Sequence, residues 1–146
     1  VEANYNANMP DSSVGFTVCH ELSHLSGFMR EDEANYISYL ACRSSGNDYL
    51  NYCGYLGILV YMLNAYSPVA TDEEYAEVYY MMSEQVIKEL AHRREYWKPY
   101  QKTVISQVSS AVNDTYLKVQ DQTDGEKSYG RVVDLVIAEY LANQKS

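Results

Sequence analysis

The chain has 146 residues, 47% of them hydrophobic, with 11 basic against 20 acidic side chains and a net charge of −9. That length suits one domain over 1–146, large enough to bury a core without disulfide or metal staples. The acidic balance argues against nucleic acid and against docking on anionic lipid, and the longest apolar stretch, Tyr55 to Leu63, falls well short of the ~20 residues of a membrane span.

Residues 1–13 carry Asn4, Asn6, Asn8 and Pro10, poor helix formers that predict a short extended N-terminal segment. Residues 2–8 could form an edge strand that holds a peptide by β-addition, or simply a loose end. Helices are expected over 13–27, 31–44 and 49–66, the last two parted by the turn-forming Ser44-Ser45-Gly46-Asn47-Asp48. Thr71 and Glu74 form a capping box. The helix it opens carries Tyr75, Val78, Tyr79, Met82, Val86 and Leu90 on one stripe to about Trp97, and Pro99 ends it. Ile105, Val108, Val112 and Tyr116 mark another helix, residues 121–127 a polar loop, and Val133, Val136, Ile137, Tyr140 and Leu141 a final helix. No internal repeat or linker divides the chain, so the expected fold is all-α, a helical bundle.

The first helix holds the densest chemistry. His20-Glu21-Leu22-Ser23-His24 is an H-E-x-x-H pattern. Residues four apart share a helix face with Cβ atoms roughly 5–6 Å apart, so two imidazoles can converge on one Zn²⁺ at about 2.0–2.1 Å. Glu21 lies about 100° around the helix from His20, off the ligand face yet near enough to act as general base on a water. Val14, Val18, Leu22 and Leu25 fall on the opposite side, which is expected to be buried. Gly27 is placed to end the helix in a left-handed cap.

A catalytic zinc site needs three protein ligands and one open position. The next helix opens with Arg30-Glu31-Asp32-Glu33-Ala34-Asn35, so Glu31 and Glu33 are the candidates for the third. Glu31 is preferred because Asn35, four residues on, shares its face and can orient a ligand from behind; Glu33 stays open as the alternative. Glu-x-x-x-Asn is similar to the Glu-x-x-x-Asp of the Glu-zincin peptidases, with the acceptor kept and the negative charge lost. The third-ligand position of the metzincins corresponds to Arg30 here, which cannot bind a cation, so that group is excluded.

Three cysteines cannot all pair. A Cys42–Cys53 disulfide between neighbouring helices is geometrically conceivable, while Cys19, beside His20 on the helix, faces another way and reads as a small buried residue. His92 lacks a histidine partner at ligand spacing and reads as a solvated helix residue. The 16 tyrosines read mostly as core and rim. Tyr129, before Gly130 at the start of the last helix, is the candidate oxyanion donor opposite the base, with Arg131 second. Asn113-Asp114-Thr115 fits a glycosylation acceptor but lies in a helical stretch.

Glu2-Ala3-Asn4 through Pro10, Phe16 to His24, Gly27 to Asn35, Tyr39 to Cys42, Gly54-Tyr55-Leu56, Asn113 to Lys118 and Ser128 to Leu135 together resemble a family of uncharacterised bacterial proteins. That family is grouped as a domain of unknown function and regarded, from its metal motif, as membrane-anchored zinc metallopeptidases. The resemblance implies membrane helices upstream of the matching region. A chain starting at Val1 instead of Met fits an internal segment, membrane-anchored through that upstream part, with the extracytoplasmic side favoured. The chemistry expected is metal-assisted peptide hydrolysis: Zn²⁺ on His20, His24 and Glu31 acidifies a water, and Glu21 takes its proton and returns it to the leaving amine. The partner would be a peptide or protein substrate. A zinc-binding structural or regulatory domain without catalysis, and a metal-free helical interaction module, are the competing readings.

Overall fold

The structure, a computed structural model, describes residues 4–101 and 130–145. The described residues form six helices and no strand: α1 (Asp11–Leu25), α2 (Glu31–Ser44), α3 (Asp48–Tyr66), α4 (Asp72–Tyr80), α5 (Glu84–Gln101) and α6 (Arg131–Asn143). The all-α class follows. The expected helix over 105–116 and the polar loop 121–127 lie outside the described residues.

Helices α1, α2 and α3 pack on one another, and α6 lies against α2 and α3. Close approach is possible because small residues stand at the crossings. A Cβ on Gly57 would lie 2.5 Å from Phe16 Cδ2, and one on Gly54 would lie 2.5 Å from Cys42 Cβ, so neither position tolerates a side chain without moving a neighbour. Phe16, Tyr39, Ile58, Val132 and Val133 make the core, with Tyr36, Leu40, Tyr61 and Val136 packed against it. Arg43 on α2 grips Glu139 on α6 with two hydrogen bonds, one of them 3.2 Å from Nη1 to Oε2. This pair fastens the last helix to the bundle.

Several expectations need correction. The N-terminal residues 4–8 are not a strand; Met9 N–H donates to Asn6 O at 3.1 Å in a turn, and Asn6 Nδ2 donates to the Tyr96 hydroxyl at 2.8 Å. Helix α1 starts at Asp11, two residues early, because Pro10 cannot donate but its carbonyl accepts from Ser13 N–H at 2.8 Å. Only part of the face of α1 expected to be buried turns inward: Val14 and Val18 are half-buried and Leu22 and Leu25 exposed, while Ser12, Ser13, Gly15, Phe16 and Ser23 are buried. Two helices, not one, close on α1, and its small residues admit them.

The helix expected over 71–97 is two. Thr71 and Glu74 do form the capping box, but α4 stops at Tyr80, and Ser83 begins α5 by accepting from Val86 N–H at 3.3 Å through its hydroxyl. A serine inside an apolar stripe offered the backbone a cap. None of the α4 residues is buried. Pro99 does not end α5, which runs to Gln101 with the proline in its last turns. On α6, Val133 is buried and Val136 packs against the core as the stripe predicts, but Ile137, Tyr140 and Leu141 are exposed and Val132, off the stripe, is buried. No disulfide joins Cys42 to Cys53; all three thiols are free, and Cys42 Sγ donates to Cys19 Sγ at 3.7 Å. Burial, with Cys19 beside it, pushes the Cys42 thiol up to about 12.

Candidate metal centre

Two consecutive helices and the turn between them build the site. Helix α1 carries His20, Glu21 and His24, and Gly27, with φ of +98°, reverses the chain after it. Gly27 N–H donates to His24 O at 3.0 Å and Phe28 N–H to Ser23 O at 3.1 Å, the two bonds of a Schellman cap. Only glycine adopts that φ without strain. The turn delivers two things to the site. It brings the first residue of α2, Glu31, back against the histidines, and it aims the Phe28 carbonyl at His24, whose Nδ1 lies 2.7 Å away.

That contact decides the histidine's tautomer. A carbonyl only accepts, so Nδ1 carries the proton and Nε2 presents its lone pair. His24 Nε2 stands 3.0 Å from His20 Nε2, Glu31 Oε2 stands 3.3 Å from His20 Nε2, and Glu31 Oε1 stands 3.4 Å from His24 Nε2. Two nitrogens and a carboxylate therefore face one point from three sides. Tetrahedral bonds of about 2.0–2.1 Å set ligand atoms about 3.3 Å apart, close to all three separations. Among the described residues this is the group of His, Cys, Asp and Glu side chains that could hold a metal ion. Side-chain exposures of 16% for His20, 24% for His24 and 23% for Glu31 leave one side of the group open.

The field at the site favours a cation. Burial lowers the His20 pKa, but the Glu31 hydrogen bond, the Glu31 and Glu21 charges and the Asn35 side chain together outweigh it, and the net shift is upward. Burial raises Glu31, yet the hydrogen bonds and charges of His20 and His24 pull it below the usual carboxylate range. Glu21 is half-buried and acts on His20 through its charge rather than a direct bond. Asn35, 2% exposed, lies close enough to His20 to raise its pKa. His20 Nδ1 and Asn35 Nδ2 are both buried without a hydrogen-bond partner among the described residues. A ring nitrogen left in that state is ready to donate to the amide oxygen once Nε2 is committed to an ion.

The other candidates fall elsewhere. Glu33 reaches Arg30 Nε at 3.6 Å and is 47% exposed, outside the grouped ligand atoms. Arg30 also holds buried Asp32 at 3.2 and 2.9 Å, so its guanidinium is turned along α2. Tyr129 lies outside the described residues. Arg131 is the first residue of α6 and half-buried. His92 is exposed, beside a cleft of about 310 Å³ lined by Met9, Asp11 and Glu89 among others. The Phe28 carbonyl is a part of the site that pattern reading missed, although a glycine at the helix end signals the chain reversal that places it.

Over residues 1–137 the chain matches a family described as "Protein of unknown function (DUF3810)". It belongs to the DUF3810 family. No curated protein matches it, and no solved structure does. DUF3810 membership covers both helices of the site and the whole described core. No helix among the described residues is long and apolar enough to cross a membrane.

Proposed function

We propose that this DUF3810 domain is a zinc-dependent metallopeptidase, with His20, His24 and Glu31 as the metal ligands and a peptide or protein as substrate. The observation that carries the reading is the convergence of two Nε2 atoms and a carboxylate at 3.0–3.4 Å, with the His24 tautomer set by Phe28. Two imidazoles and one carboxylate suit Zn²⁺ in charge and hardness. The three donors grouped among the described residues fit a catalytic site with an open position.

When bound, zinc supplies Lewis acidity, which polarises a carbonyl and acidifies a water. Glu21, one residue from the first ligand, receives the proton of the attacking water on its carboxylate and hands it to the nitrogen of the leaving amine. Asn35, behind His20, would accept from its Nδ1–H and hold the ring once Nε2 is committed to the ion. Tyr129 is the proposed donor to the developing oxyanion, with Arg131 second. Anchoring in a membrane through an upstream segment, on the extracytoplasmic side, belongs to the same reading.

Glu21→Gln separates catalysis from a purely structural zinc site. The variant should keep its zinc and lose peptide hydrolysis by roughly 10²–10⁴-fold. Hydrolysis that survives the substitution would remove Glu21 from the mechanism.

A further inference from the structure

Sulfur chemistry lies beside the metal group without belonging to it. All three thiols are free, with Cys42 and Cys53 fully buried and Cys19 half-buried. Free cysteines inside a core are usually inert, small apolar residues. Cys19 and Cys42 depart from that pattern in their placing: Cys19 is part exposed on α1, and Cys42 stands against it on α2, its Sγ 3.7 Å from Cys19 Sγ.

That contact is held from several sides. One turn before Cys42, Ser38 Oγ donates to the carbonyl of Phe16, itself about one turn before Cys19, at 2.6 Å. One turn after Cys19, Ser23 Oγ donates to Cys19 O at 2.7 Å. Cys42 has no room to retreat, because its Cβ lies 2.5 Å from where a Cβ on Gly54 would stand. Cys53 reaches the start of α1 instead: its Sγ is 4.0 Å from Asp11 O and 3.1 Å from where a Cβ on Gly15 would stand. A disulfide sets its sulfurs about 2.0 Å apart, so Cys19 and Cys42 need to close by only about 1.7 Å.

We propose that Cys19 and Cys42 form a reversible redox modification site that takes a hydroperoxide, with Cys19 oxidised first and Cys42 resolving it into a disulfide. The Cys19 thiolate attacks the peroxide; an S–O bond forms, the O–O bond breaks, and the departing oxygen takes up a proton, which leaves a sulfenic acid. Cys42 sulfur then bonds to Cys19 sulfur as the S–O bond breaks, and the hydroxide leaves with the Cys42 proton as water. The two thiols give up two electrons and the peroxide accepts them. The roles do not exchange, because burial, with Cys19 beside it, keeps Cys42 away from solvent and pushes its thiol up to about 12. The bond ties α1, next to His20, to α2, and its formation needs no metal on the neighbouring ligands.

Thiol counting on the folded chain tests this, with hydrogen peroxide as the probe in chelating buffer, followed by alkylation and peptide mapping. Wild type should fall from three free thiols to one, with Cys19 and Cys42 in one crosslinked peptide pair and dithiothreitol restoring all three. Cys53→Ser should give the same crosslink. Cys42→Ser should stop at a sulfenic acid on Cys19 that dimedone traps. Should that variant not fold, wild type unfolded in urea supplies the comparison: the shorter loop between Cys42 and Cys53 closes more readily there, so the Cys19 pairing should give way. Folded wild type that keeps three thiols, links Cys53, oxidises Cys19 without joining it to Cys42, or pairs no more selectively than the unfolded chain overturns the site and leaves the metal reading to its own tests.

Discussion

His24 shows how one backbone bond prepares a side chain for metal. Because its Nδ1 donates to the Phe28 carbonyl at 2.7 Å, Nε2 faces the site as a lone pair without any choice left to the ring. His20 Nδ1 has no partner among the described residues, and Asn35 is its proposed brace. Asn35→Ala should therefore weaken metal affinity about 10–100-fold, measured by competition with a chelator, whereas Asn35→Asp should hold or strengthen it. Equal affinity in all three proteins would mean that packing alone fixes the ring. At this scale the sequence was informative: the spacing of His20, His24 and Glu31 predicts the grouping that the structure displays. For Phe28 it offered only Gly27, which signals the chain reversal, since a main-chain carbonyl leaves no mark in side-chain identity.

Helices assemble here through small residues and one ion pair, and only part of this is readable from periodicity. Phe16 seats over Gly57, and Cys42 over Gly54, so α1 and α2 both approach α3 where it lacks side chains. An apolar-stripe argument looks for large residues, which is why Leu22 and Leu25 were expected inside and Ser12, Ser13 and Ser23 were not. Likewise Ser83 broke a stripe whose apolar spacing ran on uninterrupted. The Arg43–Glu139 pair joins α2 to α6 across 96 residues of sequence, beyond the reach of any local pattern. Its Arg43 hydrogen bond lowers the Glu139 pKa below 4.5. The stabilisation is thus fully present above pH 4.5 and is lost as pH falls through the lowered folded-state value. Urea unfolding should show wild type more stable than Glu139→Gln by about 1 kcal/mol at neutral pH. The gap should close in acid, where the wild-type carboxyl is protonated. A constant difference down to about pH 2 would assign the effect to packing instead of charge.

For the molecule as a whole, the bundle turns one short hairpin into a site. α3 and α6 back the α1–α2 pair, and Gly27 folds that pair so that an acid from α2 meets two imidazoles of α1. The DUF3810 match over residues 1–137 covers this whole arrangement. The claim on which the rest depends is that the group binds a divalent ion. Metal content by mass spectrometry, on protein purified without added zinc and again after chelation and zinc titration, tests it most directly. One zinc per chain is predicted, with loss of binding in His20→Ala, His24→Ala and Glu31→Gln. A folded wild-type protein that stays metal-free after titration would contradict it.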